Sequence, residues 1–243
     1  MKYCPLCKQT APNFLPLPIY YYEQLNKAGA SFSLDDFETL NCGQYSCPHC
    51  GASDRERLMA LSIESFLLSK EGKMVEVLEI APSKSFAGFF AGHPLIRHRT
   101  ADLLSPLAQD KVDICDMAIY QDKQFDLVIC SHVLEHVPDD LSAMRELCRV
   151  LKPDGVLVVL VPILMTLEKT DEDPLETDEA VRWRRFGQDD HIRIYSSADF
   201  VRKLQSAGLH ISQLGQNEFG ADTLHACGIS HSSVLYLGTP TKG

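Results

Sequence analysis

The chain has 243 residues and a formal net charge of −10, with 45% apolar and 23% charged residues. This length allows one large α/β domain with a small appendage, and the apolar fraction supplies a core that needs no disulfides. The negative charge argues against a nucleic-acid partner, because affinity for phosphate backbones depends on cationic contacts. The sequence has no signal-like N-terminus and no run of about 18 apolar residues, so we expect a cytoplasmic protein without a membrane segment. The oligomeric state is left open.

Two C-x-x-C pairs, Cys4/Cys7 and Cys47/Cys50, stand near the N-terminus. This spacing lets two thiolates hold one tetrahedral ion, and two such pairs make the closed four-sulfur shell typical of structural zinc. The alternative is two coincidental pairs, one of them redox-active, but the shared Cys-Pro-x-Cys pattern argues against it. We therefore predict a structural Zn²⁺ site in an N-terminal module of residues 1–53.

An aromatic-rich stretch at residues 19–22 lies between the two pairs. Its rings could stack on a ligand. More often such a run packs a small module onto its neighbour, which is the interpretation we favour.

From residue 54 onward, apolar residues recur alternately with helical and strand spacing. In chain order, the pattern predicts a helix over 57–68, a strand over 74–80, a helix over 83–90, strands over 96–101, 111–114 and 125–130, a helix over 141–151 that the Lys-Pro-Asp-Gly run at 152–155 ends, a strand over 156–161, a helix over 197–207, and strands over 210–214 and 234–237. Such alternation indicates an α/β domain with a parallel sheet and helices on both faces. Ligands of these sheets bind beyond the carboxyl ends of the strands.

The run FDLVICSHVLEHV at 125–137, continued by RELCRVLKPDG at 145–155, resembles class I S-adenosylmethionine-dependent methyltransferases of the type 11 group. The resemblance extends over residues 70–237. It implies a Rossmann-like fold with a mostly parallel seven-stranded sheet over residues 54–243, S-adenosylmethionine as cofactor and S-adenosylhomocysteine as product.

The resemblance assigns the loop after the first strand of that domain to the cofactor. Glu79 fits the acidic position of the family, but the usual glycines are missing. Ala81 is small, Pro82 can begin a helix, and Ser83 and Ser85 can offer hydroxyls to the methionine end of the cofactor.

Acidic residues also follow the next two strands. Asp102, followed by Leu103, is expected to accept hydrogen bonds from the ribose hydroxyls. Asp113 and Ile114 are expected beside the adenine, with Asp116 as a rival to Asp113.

Ser131 and His132 leave the fourth strand, where cofactor and acceptor meet in this family. Ser131 is assigned to the cofactor. His132 is a candidate base, an acceptor ligand or a residue that only holds the loop. Glu135 and His136 are interpreted as structural.

Residues 168–195 are charged, irregular in pattern and placed after the fifth strand, as in a solvated loop or an acceptor-binding lid. Asp190 and His191 combine an acid with an imidazole and are candidate catalytic residues. The candidate substrate ligands are Arg185, Phe186, Gln188, Arg193 and Tyr195.

The favoured function is O- or N-methylation of a small molecule, such as a sugar or a pathway intermediate. One rival is an RNA methyltransferase that recognises RNA through a zinc ribbon. The net acidity and the lack of an Asn-Pro-Pro-Tyr-like motif after the fourth strand weaken that rival. The other rival is a non-catalytic cofactor-binding protein, which the glycine-free loop keeps open.

Overall fold

The computed structural model describes residues 1–70 and 72–241. The N-terminal residues form a small antiparallel pair, β1 (Lys2–Tyr3) with β2 (Thr10–Ala11), followed by α1 (Ile19–Ala28). Single 3₁₀ turns follow at Leu34–Asp36 and Cys42–Gln44. These elements are too short to bury a core of their own and must pack against the rest of the chain.

The helix α2 (Asp54–Ser69) begins at a capping box. The amide of Ser53 donates to the Glu56 carboxylate (2.7 Å), while the Glu56 amide lies 3.4 Å from the Ser53 hydroxyl oxygen. This reciprocal pair satisfies backbone donors at the helix start and fixes where the helix begins.

The remaining elements alternate much as predicted. They are β3 (Val75–Ile80), α3 (Lys84–Ala91), β4 (Ile96–Asp102), β5 (Asp110–Lys111), β6 (Phe125–Ser131), α4 (Asp140–Val150), β7 (Leu151–Leu160), β8 (Asp171–Glu172), α5 (Glu179–Phe186), β9 (Arg193–Ile194), α6 (Ser197–Ser206), β10 (Leu209–Leu214), α7 (Gln216–Phe219), α8 (Ala221–Ala226) and β11 (Leu235–Pro240).

Within the described residues, one sheet has seven strands in the order β10-β11-β7-β6-β3-β4-β5. Among these seven strands, β11 alone runs in the direction opposite to the other six. The central strands β3 and β6 are almost wholly buried, as expected when helices cover both faces of a parallel sheet. The predicted mostly parallel seven-stranded fold is therefore confirmed.

Two local predictions differ from the structure. The short third strand is Asp110–Lys111, not 111–114. The helix α4 ends at Val150, and the Lys-Pro-Asp-Gly run lies inside β7, where the register against β6 shifts. A Cβ on Gly155 would lie 2.9 Å from the Phe125 carbonyl oxygen, so this irregular pairing requires glycine.

The N-terminal residues and the segment at 168–195 pack together over the carboxyl ends of the strands. Leu25 of α1 and Trp183 of α5 share one apolar cluster, and the rings of Tyr20 and Trp183 lie 6.0 Å apart. The Glu38 amide donates to the Ile163 carbonyl beyond β7 (3.0 Å). The aromatic stretch therefore packs the N-terminal module onto its neighbour, which is the interpretation favoured from the sequence. Residues on the two sides of the predicted boundary at residue 53 pack against each other.

Residues of the N-terminal module also lie in the main core. Cys4, Phe14 and Cys47 belong to the same buried cluster as Leu58 of α2 and Val128 of β6. Across residues 1–70 and 72–241, no helix combines the length and apolarity that a membrane span requires.

Candidate functional site

A cleft of about 170 Å³ opens at the carboxyl ends of β3 and β6. Four residues predicted to contact the cofactor line it: Glu79, Ala81, Ser83 and Ser131. The opposite wall comes from the first turns of α2, namely Arg55, Glu56 and Met59. The structure thus brings the β3 loop and the end of β6 to one cleft, where ligands of open α/β sheets bind.

Two carboxylates, the buried Glu79 and the partly buried Glu56, hold the β3 loop. Glu79 accepts from the Ser83 amide (2.8 Å) and from His98 Nε2 (2.8 Å). Glu56 accepts from the Ser85 hydroxyl (2.9 Å). Burial raises the pKa of Glu56, but the hydrogen bonds that it accepts from serine groups lower this pKa by a larger amount. The net shift of the pKa is therefore downward. The loop is therefore pre-organised, and the Ser85 hydroxyl is used inside the protein.

Ala81 takes the conformation that glycine would normally supply. Its φ is +53°, in the left-handed region, and its amide donates to the Ala101 carbonyl (2.9 Å). The loop thus makes its turn without glycine, at a cost in backbone strain. Pro82 lies beside this turn but not among the residues that line the cleft.

Ser131 and His132 end β6 at the boundary between this cleft and a second cavity. The Ser131 hydroxyl oxygen is buried in the cleft wall without a hydrogen-bond partner. His132 has a left-handed φ of +55°, which turns the chain sharply toward the second cavity. An unpaired buried hydroxyl is rare, so a water molecule or a ligand group in the cleft is expected to complete it.

The other predicted cofactor residues lie outside the cleft wall. Asp102 Oδ1 accepts from the amides of Leu104 (2.6 Å) and Ser105 (2.7 Å), and Leu103 is exposed. Asp113 accepts from the Cys115 amide (2.8 Å). Ile114 is buried, and both Asp113 and Asp116 are exposed, so geometry does not choose between these two acids.

A second cavity of about 280 Å³ lies between the sheet end and the N-terminal residues. Five residues predicted for the acceptor side line it: His132, Phe186, Gln188, Asp190 and His191. The N-terminal residues supply a mostly apolar wall of Leu17, Tyr21, Leu34, Phe37, Thr39, Leu40 and Tyr45. Sequence reasoning did not assign these N-terminal residues to the acceptor side.

The polar wall of this cavity contains a buried carboxylate among imidazoles. Glu135 is 0% exposed, and His132 Nδ1 lies 3.2 Å from its Oε1. Burial raises the pKa of Glu135, but His132, His191 and His136 lower it more, to about 2. Burial, helped by the charge of Arg55, lowers the pKa of His132 to about 4. At neutral pH the carboxylate is therefore charged and His132 is neutral.

Three predicted substrate ligands do not reach the cavity. Arg185 pairs with Asp171 (2.6 Å) and Asp173 (3.1 Å). Arg193 is 1% exposed and donates to Glu172 and to three carbonyl oxygens, those of Leu134, Val137 and Pro138. The Tyr195 hydroxyl donates to Asp140 (2.7 Å). Arg193 and Tyr195 instead hold the turn that carries Glu135 and His136.

Arg55 lines both cavities and was not predicted. Its Nη1 donates to the Tyr45 hydroxyl (3.2 Å). The sequence did contain an indication of this position. A cation in the first turn of a helix interacts unfavourably with the helix dipole, which suggests that Arg55 is present to contact a ligand or another side chain.

The four predicted metal ligands do converge. The sulfurs of Cys4 and Cys50 lie 3.7 Å apart, those of Cys7 and Cys47 lie 3.8 Å apart, and all four lie within 4.8 Å of one another. Tetrahedral zinc with bonds of about 2.3 Å would separate its sulfurs by about 3.8 Å.

Comparisons with known proteins agree with this geometry. A family model described as a methyltransferase domain matches residues 60–214. A ubiquinone biosynthesis O-methyltransferase of Neisseria meningitidis serogroup C is 24% identical over 119 residues, which are 47% of this chain and 48% of that protein. The uncharacterized protein YafE of Escherichia coli is 30% identical over 95 residues, 39% of this chain and 43% of that protein. The chain spans about half the length of the curated relatives it matches.

Solved structures show the same fold. The [4+2]-cyclase SpnF matches with a TM-score of 0.52 and 14% identity, covering 95% of this chain and 100% of that chain. The CurJ carbon methyltransferase matches with a TM-score of 0.51 and 12% identity, covering 76% of this chain and 53% of that chain. Since the family match covers more than half of the sequence and the strands pair in the expected mostly parallel sheet, this chain belongs to the class I S-adenosylmethionine-dependent methyltransferases.

Proposed function

We propose that this protein transfers the methyl group of S-adenosylmethionine to a hydroxyl or amine of a small molecule. The observation that carries the proposal is the pair of adjoining cavities. Ser131 lines the first, the next residue His132 lines the second, and Arg55 lines both. The methyl group and its acceptor would therefore meet at the end of β6.

The size of the second cavity supports a small acceptor. Its volume of about 280 Å³ lies near the lower end of ligand pockets. The apolar wall suits a ring or an alkyl group, while His132, Gln188 and Asp190 suit its polar substituents. A nucleic acid would need an open cationic surface, which a net charge of −10 does not favour.

The sulfonium of the cofactor supplies the reactive methyl group. The protein aligns the acceptor with it and excludes water. In such a transfer the S–CH₃ bond would break with its electrons left on sulfur, while an O–CH₃ or N–CH₃ bond would form to the acceptor. The acceptor would lose its proton to a base on the cavity wall, for which His132, which is neutral at pH 7, is the candidate.

The four cysteines are proposed to bind a structural Zn²⁺ ion. Their closed thiolate shell leaves no open position for chemistry. The site would fix the N-terminal residues, which form the apolar wall of the acceptor cavity.

Asp190→Ala tests the acceptor site, because Asp190 is 64% exposed at its side chain and lines the cavity. We expect turnover of a methyl acceptor, found by screening hydroxylated and amino compounds, to fall at least tenfold. The affinity for S-adenosylhomocysteine, measured by calorimetry, should stay within about twofold.

Asp189→Ala is the matched control, since Asp189 precedes Asp190 but does not line the cavity. Loss of cofactor affinity in Asp190→Ala with turnover intact at saturation would contradict the proposal. So would RNA binding by the full chain that weakens steeply with salt.

A further inference from the structure

Glu135 presents a buried carboxyl group that the surrounding side chains leave without a hydrogen-bond partner. Its side chain is 0% exposed, and neither carboxylate oxygen has a hydrogen-bond partner. His132 Nδ1 comes within 3.2 Å of Oε1, but without hydrogen-bonding geometry. A buried carboxylate is costly unless hydrogen bonds or a cation compensate it. Some group beyond these side chains is therefore required.

Two further imidazoles turn bare nitrogens toward this carboxylate. His136 Nδ1 lies 3.2 Å from the Asp190 carbonyl oxygen, and His191 Nδ1 lies 3.1 Å from the Phe186 carbonyl oxygen. Because a carbonyl only accepts, each Nδ1 carries the proton. In a neutral imidazole the other nitrogen, Nε2, is then a lone pair.

Those lone pairs face the carboxylate of Glu135. His191 Nε2 lies 3.9 Å and His136 Nε2 lies 4.0 Å from Oε1. Two lone pairs and a carboxylate repel one another unless a proton or a metal cation lies between them. This is the arrangement found at metal centres, where the outer nitrogen of each histidine donates to a carbonyl and thereby fixes the ring.

We propose that Glu135, His136 and His191 bind a divalent transition-metal ion such as Zn²⁺. The three ligand atoms lie within 4.8 Å of one another. Metal bonds of about 2.1 Å in tetrahedral geometry require separations of about 3.4 Å, so the side chains need to close by about 0.5–1.4 Å. Two histidines and one carboxylate form a common catalytic donor set.

The turn that carries two of these ligands is rigidly held. Arg193 donates to the carbonyls of Leu134, Val137 and Pro138, on both sides of Glu135 and His136. The Ile192 amide donates to the Glu135 carbonyl (3.1 Å), which ties His191 to the same turn. Such support positions ligands before the metal arrives.

All three ligands line the acceptor cavity, so a metal ion held by them would be open to that cavity. In that position an acceptor hydroxyl would bind to the ion and lose its proton more easily. This role, though not the metal site itself, rests on the proposed function.

Cobalt titration of the full chain tests the site, because Co²⁺ bound by thiolates absorbs far more strongly than Co²⁺ bound by imidazole and carboxylate. We expect metal-free protein to bind about two Co²⁺ ions, with only one giving thiolate charge-transfer bands. Glu135→Gln and His136→Gln should each keep those bands and lose the second ion. Cys47→Ser should lose the thiolate bands and keep the second, non-thiolate Co²⁺ ion.

His136 is about one-third exposed at its side chain, so His136→Gln is expected to fold even if Glu135→Gln does not. His210→Gln, an exposed histidine on β10, is the control and should bind as the unaltered chain does. The proposal would be overturned if His136→Gln bound the non-thiolate Co²⁺ ion as well as the unaltered chain does. It would also be overturned if the unaltered chain bound no non-thiolate Co²⁺ ion. Both readouts are independent of methyl transfer, so they separate this inference from the proposed function.

Discussion

The guanidinium carbon of Arg57 lies 3.9 Å from the ring centroid of Phe14. Arg57 is 0% exposed and joins the N-terminal residues to the catalytic domain. Its nitrogens donate to the carbonyl oxygens of Gln44, Tyr45, Ala52, Cys227 and Gly228. One buried cation thus satisfies acceptors from both parts of the molecule.

Arg57→Met should lower the free energy of unfolding by about 3–5 kcal/mol, because buried carbonyls lose their donor. Urea unfolding followed by circular dichroism measures the change. Arg184→Met, at an exposed position of α5, is the control and should change stability by less than about 0.5 kcal/mol. A similarly small effect at Arg57 would show that water replaces its hydrogen bonds.

Glu38 should make stability depend on pH. Burial raises its pKa from the ordinary 4.5 to about 7, although the Tyr236 hydroxyl, which donates to it, opposes the shift. The folded chain therefore binds this proton more tightly than the unfolded chain. The contribution to stability is fully present below about pH 4.5 and is lost as the pH rises through about 7.

Glu38→Gln removes this titration. Relative to the unaltered protein, the variant should gain up to about 3 kcal/mol in unfolding free energy between pH 4.5 and pH 8. Urea unfolding across that range measures the difference, with the exposed Glu23→Gln as control. A difference that does not vary with pH would contradict the shifted pKa.

Ala81→Gly should leave stability unchanged or raise it by up to about 1 kcal/mol. The left-handed φ of +53° costs alanine about 1–2 kcal/mol, whereas glycine loses only about 0.5–1 kcal/mol in chain entropy. Thermal unfolding compares it with Ala87→Gly, at an exposed position inside α3. That control should lose about 1 kcal/mol, and an equal loss at position 81 would argue against the strained turn.

Asp102 is expected to bind the ribose, so Asp102→Ala should weaken cofactor binding ten- to a hundredfold, because a hydrogen bond to a charged acceptor is worth about 1.5–3 kcal/mol. Asp102→Asn keeps one oxygen for the amides of Leu104 and Ser105 but replaces the other with a donor. It should therefore also weaken binding. If calorimetry shows that Asp102→Ala weakens cofactor binding while Asp102→Asn binds the cofactor normally, then Asp102 only positions its loop.

Cys47→Ser should reduce the zinc content measured by mass spectrometry by about one ion per chain. It should also destabilise the whole chain, because Cys4 and Cys47 lie in the core cluster that includes Leu58 and Val128. Unchanged zinc content would refute the four-cysteine site.

Much of the fold was readable from the sequence. The apolar runs that became β3, β6 and β7 are buried on both faces, so burial leaves a continuous signature in the sequence. The cysteine cluster followed from its spacing, because two residues between thiols fit one tight turn. The predicted bounds of the third strand and of the end of α4 were wrong, because local pairing in β5 and β7 overrode propensity.

Only the tertiary structure decided which residues share a cavity. Glu135 and His191 are far apart in the chain, and their meeting depends on how the segment at 168–195 packs, which no periodicity encodes. The role of Arg193 was also decided by the tertiary structure. Its charge suggested that it binds the substrate, but its guanidinium donates to buried carbonyl oxygens. Sequence patterns record whether a residue is buried, whereas the partner that satisfies a buried polar group is set by contacts between distant segments.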